Sequence, residues 1–192
     1  MTAITNLSQL DFSKEYTYTD YLKWQLKESI ELIKGKISLM SPAPVRLHQK
    51  ISMRLSAEMF YFLKQNPCEV YTAPFDVRLT NKDGKQSVVQ PDISVICDKS
   101  KLDARGCVGA PDIVIEILSP SNHKKEMDAK FDLYQESGVK EYWIVEPRNQ
   151  TVLMYVLEND KFIGLKPFSE GQQITSTVLT GFSMAVDDVF KE

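Results

Sequence analysis

The chain has 192 residues, 43% of them hydrophobic and 26% charged, enough to bury one good core without requiring a second domain. A formal charge of −3 and an isoelectric point near 5.5 supply no bulk attraction for polyanions. Nucleic-acid binding would therefore need a local basic patch or bridging metal ions.

The cysteines, Cys68, Cys97 and Cys107, form no CxxC pair, and their odd number argues against a secreted disulfide framework. The opening residues lack a signal-peptide pattern, and no stretch of about 18 consecutive apolar residues occurs. A single-domain, cytoplasmic protein without a membrane span is the expectation.

Residues 1–17 are polar and irregular. Thr19 or Asp20 then offers a cap for a helix carrying Tyr21, Leu22, Trp24, Leu26 and Ile30, expected to run to about Ser29. Residues 30–40 (IELIKGKISLM) predict two short strands turned at Lys34-Gly35, with Glu31 near the start and Ser41, Pro42, Ala43 and Pro44 closing the segment. Over residues 45–64, Leu47, Ile51, Leu55, Met59 and Phe62 recur at spacings of three and four, predicting an amphipathic helix with His48 in its first turn.

Strands are expected at 69–79, 88–97 and 113–118, with 81–86 as a turn and 99–109 as a polar connection. A second helix spans 125–137, stopped by Gly138, and the β-rich run 141–146 follows it. Strand, helix, strand implies a crossover unit in a mixed sheet, hence a mixed α/β fold. Two more strands, 151–157 and 161–167, precede Gly181-Phe182 and a short acidic end at Asp187-Asp188.

The chemistry concentrates in Val89-Gln-Pro-Asp92-Ile-Ser-Val and Pro111-Asp112-Ile-Val-Ile-Glu116-Ile-Leu-Ser. A lone carboxylate in an apolar strand is costly unless a cation or hydrogen-bond donors compensate its desolvation, so Glu116 calls for a partner. Asp92 on an adjacent strand would supply a second oxygen donor, a pair suited to Mg²⁺ or Mn²⁺.

The competing reading has Asp92 capping a turn after Pro91 and Glu116 paired with a lysine or arginine for structural reasons. Asp112 shares a strand face with Glu116 by period-two alternation, and either extends the acidic site or starts the strand after Pro111. Lys130, on the second helix, could orient a water or balance charge, with Lys124 and Lys125 as competitors.

Other chemistries find less support. Ser119 and Ser121 flank Pro120 in a turn, and without a G-x-S-x-G context a serine hydrolase is not indicated. His48 and His123 have no zinc-ligand spacing. Tyr134, Tyr142 and Trp143 read as core packing.

The motifs PDISV, GAPDIVIEILSPSN and K-x-x-x-Y-x-x-x-G-V-x-E-Y-W-I-V-E-P, the last starting at Lys130, together resemble the Uma-type family described as putative restriction endonucleases, within the PD-(D/E)XK nuclease superfamily. ELIKGKISLMSPAP followed by His48 resembles that family's opening hairpin and helix. The resemblance implies a mixed central sheet flanked by helices, with Asp92 and Glu116 as metal ligands and Glu31 as a further acidic member of the site. Leu118 stands where the superfamily's E-x-K motif has its lysine, and the resemblance transfers that role to Lys130.

These readings converge on Mg²⁺- or Mn²⁺-dependent hydrolysis of phosphodiester bonds in DNA. The alternative is a catalytically inactive nuclease-fold module, monomeric or homodimeric, that binds nucleic acid or a protein partner. A metal-dependent hydrolase of another substrate shares the same metal chemistry.

Overall fold

The computed structural model describes residues 3–40, 45–119 and 124–191, the side chains of Lys124 and Lys125 excepted. Ser121, His123 and the segment 41–44 lie outside the described residues. Helix α1 (Tyr18–Tyr21) is one turn long and capped by Thr17, whose side chain accepts from the Asp20 amide while the Asp20 carboxylate reaches back to Thr17. Asp20 is thus the third helical residue rather than the cap, and the helix stops well short of Ser29.

The hairpin β1 (Ile30–Ile33) and β2 (Lys36–Leu39) turns at Lys34 and Gly35, which take φ of 52° and 78°, the left-handed pair that a two-residue hairpin requires. Helix α2 (Arg46–Leu63) follows, as its apolar period predicts. Its buried row is His48, Ile51, Leu55, Met59 and Leu63, whereas Leu47 is 41% exposed. His48 therefore stands in the core row, three residues before Ile51.

Each of the next two predicted strands is divided between two sheets. The first becomes β3 (Glu69–Thr72) and β4 (Asp76–Thr80), interrupted at Pro74, and the second becomes β5 (Gln86–Val89) and β6 (Ile93–Ile96), interrupted at Pro91. Proline cannot donate to a ladder, so each break is where the chain leaves one sheet for the other. The polar connection holds a hairpin, β7 (Leu102–Asp103) and β8 (Gly106–Val108). Gly106 is required there, because a Cβ would lie 2.1 Å from the Asp76 carbonyl oxygen.

Strand β9 (Ile113–Ile117), helix α3 (Lys124–Ser137) and strand β10 (Glu141–Glu146) form the expected crossover, β9 and β10 being parallel. Strands β11 (Thr151–Glu158) and β12 (Lys161–Gly164) extend the sheet. A two-stranded ribbon, β13 (Gln173–Thr175) and β14 (Ser183–Ala185), then leads into α4 (Val186–Phe190), where only an acidic end was expected.

The strand orders are β2-β1-β5-β4-β8-β7 in the first sheet and β12-β11-β10-β9-β6-β3 in the second. Both faces of the second sheet are covered. Ile113, Ile115, Ile117, Trp143 and Val145 join the core beneath α2, while Val114, Tyr142 and Ile144 join Leu133 and Tyr134 of α3 on the other face. Double coverage explains why β9 and β10 are almost continuously apolar.

Cys68 and Cys97 are joined by a disulfide at the end of the β3–β6 pair, a pairing that the odd cysteine count did not anticipate; Cys107 is free and buried. Among the described residues no helix is long and apolar enough to cross a membrane.

Candidate active site

Glu116 is the residue of β9 that interrupts the apolar run on the face toward α3. Strand β6 runs antiparallel to β9 with Ile93 opposite Ile115, and one step further the register sets Asp92 opposite Glu116. The Asp92 carboxylate is fixed there by the Ile117 amide at 2.7 Å and His48 Nε2 at 3.2 Å, both on Oδ2. Pro91 makes this arrangement: it ends β5, delivers the chain to the second sheet, and leaves Asp92 at the mouth of β6.

Glu31 arrives from the first sheet. It lies on β1 beside β5, is 1% exposed, and accepts the Gln90 amide at 2.8 Å on Oε1. Lys130 of α3 joins the two sheets: its Nζ is 3.1 Å from Glu31 Oε1 and 3.0 Å from Glu116 Oε1. Tyr134, one helical turn beyond Lys130, donates its hydroxyl to the same Glu116 oxygen at 2.7 Å.

The electrostatics follow from burial. Desolvation pushes the Glu116 carboxyl up to about 7; Lys130 and the Tyr134 hydroxyl oppose this, and the charges of Asp92 and Glu31 reinforce it. Burial alone would lower the Lys130 ammonium, but Glu116 and Glu31 outweigh it and hold the pKa above its ordinary value. Burial also acts to lower His48, which its hydrogen bond to Asp92, the Asp92 charge, the Ile117 backbone and Glu116 more than offset.

A common pattern runs through the three carboxylates. Among the described residues, the hydrogen bonds of Asp92 fall on Oδ2, and those of Glu116 and Glu31 on Oε1. Glu31 Oε2 is buried with no hydrogen-bond partner. Among the described residues, each carboxylate therefore has one oxygen without a hydrogen-bond partner. Among the described residues no group of three or more His, Cys, Asp or Glu side chains could hold a metal ion. Two hard oxygen donors completed by water nevertheless fit Mg²⁺ or Mn²⁺, which retain several waters when protein-bound.

All four residues picked from the sequence, Asp92, Glu116, Lys130 and Glu31, thus meet at the junction of the sheets. Asp112 does not: it is buried at the other end of β9, and its carboxylate accepts from the Cys97 amide and Lys140 Nζ. Two participants were read differently in the sequence. Tyr134 is core and also a site donor, foreshadowed by its four-residue spacing from Lys130. His48, outside the apolar series read from the sequence, lies within the buried row, as its spacing from Ile51 and Leu55 allows.

A crystal structure described as a "putative nuclease" from Anabaena variabilis shares this fold, with a TM-score of 0.73 at 22% identity over 91% of this chain and 97% of that one. The profile of the Uma2 family, described as "Putative restriction endonuclease", matches residues 18–187, and the chain belongs to that family. A relative from Synechocystis sp., "Uncharacterized protein slr1290", is 26% identical over 175 residues, 90% of each chain.

Proposed function

We propose that the protein is a Mg²⁺- or Mn²⁺-dependent endonuclease that hydrolyses phosphodiester bonds in DNA. The observation that carries this is the facing of Asp92 and Glu116 across β6 and β9, each with one oxygen unpartnered among the described residues, beside the buried ammonium of Lys130. A divalent cation held by these two carboxylates would supply an activated water and charge stabilisation at the phosphate.

The chain's own residues prepare that site. Lys130 places a fixed positive charge where negative charge develops on a phosphate, or positions a water there. Glu31, fixed by the Gln90 amide, holds Lys130 between the sheets and keeps it protonated. The Ile117 amide and His48 fix the orientation of Asp92.

One observation favours a second reading. Lys130 already pairs with one oxygen each of Glu116 and Glu31 without a metal ion, as in a nuclease-fold module that binds nucleic acid or a protein partner and does not cut.

The test is cleavage of supercoiled and linear DNA with Mg²⁺ or Mn²⁺ by the full chain and by Asp92→Asn, Glu116→Gln and Lys130→Met, with calorimetric titration of each cation. Cleavage lost in the folded variants, with cation binding lost in the first two, supports the endonuclease. DNA binding without cleavage or cation binding selects the non-catalytic module.

A further inference from the structure

The pattern of committed and uncommitted oxygens has consequences for which cation the site accepts. Asp92 Oδ2 is occupied by His48 Nε2 and the Ile117 amide, and Glu116 Oε1 by the Tyr134 hydroxyl and Lys130 Nζ. Neither His48 nor Tyr134 is free to swing away. Tyr134 is fully buried, with its ring 5.1 Å from that of Tyr142 in an edge-on contact, and the His48 side chain is 9% exposed within the core row of α2.

Among the described residues, a cation approaching this pair meets one unpartnered oxygen from each carboxylate. Chelation by both oxygens of either group would first require breaking hydrogen bonds inside the core. Ca²⁺ takes six to eight oxygens and often uses carboxylates bidentately, whereas Mg²⁺ is satisfied by one or two carboxylate oxygens plus water.

Resting on the metal-site reading above, we propose that His48 and Tyr134 are positioning residues that make the site selective for small cations over Ca²⁺. Together with the Ile117 amide and Lys130, they commit one oxygen of Asp92 and of Glu116 to the protein. The donors act through the carboxylates and need not touch the cation themselves.

The experiment is calorimetric titration of the full chain with Mg²⁺, Mn²⁺ and Ca²⁺, repeated for Tyr134→Phe, His48→Ala and His48→Gln. Tyr134→Phe removes a single oxygen and keeps the ring packing, so it remains decisive if His48→Ala fails to fold. Tyr134→Phe and His48→Ala are expected to weaken Mg²⁺ and Mn²⁺ about tenfold relative to Ca²⁺. His48→Gln, whose amide nitrogen reaches the place of Nε2, keeps the wild-type preference. An unchanged preference in folded Tyr134→Phe, with wild-type protein binding Mg²⁺, overturns the inference and leaves the metal site standing. Wild-type protein that binds none of these cations removes the metal site and the inference with it.

Discussion

Glu116 owes its properties to a single replacement of a hydrophobic residue by a carboxylate in an otherwise apolar strand. Its carboxyl titrates at about 7 in the fold against an ordinary 4.5, so between those values the folded chain binds more protons than the unfolded chain. Without metal, its contribution to stability is present below pH 4.5 and is lost as pH rises to about 7. Urea midpoints across that range are expected to show the fall, and Glu116→Gln to lose it. Cation affinity moves the other way, because the proton must leave before an oxygen can bind metal, so calorimetric affinity should rise as pH passes through 7. Lys130 is the complementary case. Lys130→Met keeps the apolar stem but strands Glu31, 1% exposed, without its cation. The expected loss is about 3–5 kcal/mol by urea denaturation, with much of it recovered when Glu31→Gln is added.

At the level of elements, helix α2 shows how a period becomes a face. Leu55 is fully buried and Leu47 is 41% exposed, although both belong to the apolar series of the sequence. Leu55→Ala is expected to cost about 2–5 kcal/mol, and Leu47→Ala to fall within about 0.5 kcal/mol of wild type, both by chemical denaturation. The same face carries His48 to Asp92, so the helix that closes the core also orients a site residue. Proline does comparable work in the strands. Pro74 and Pro91 divide two apparent strands into four, and the second division sets Asp92 at a sheet junction rather than within a ladder.

Across the whole molecule, the second sheet is the platform on which the C-terminal segment and α2 close one core. Glu141, fully buried at the start of β10, accepts from Trp143 Nε1, Ser176 Oγ, Thr177 N and Oγ1, and Val178 N. Glu141→Ala removes the common acceptor of these donors, and a loss of about 3 kcal/mol or more is expected. Hydrogen exchange should then accelerate in residues 174–190, which pack against the sheet through Ile174, Leu179, Phe182, Val186 and Phe190. Family resemblance chose Lys130 over Lys124 and Lys125 and added Glu31, whereas the sequence by itself determined the crossover β9–α3–β10, the β1–β2 hairpin, helix α2, and the candidates Asp92 and Glu116. These are local signals: hydrophobic period, a glycine turn, and charge set in apolar surroundings. Only the tertiary structure decided that Tyr134 and His48 commit one oxygen of each carboxylate, that Asp112 serves the strand end, that Cys68 meets Cys97, and that Glu31 reaches the site from a different sheet. Those facts depend on register and on how two sheets meet, and contacts between residues distant along the chain leave no periodic trace in it.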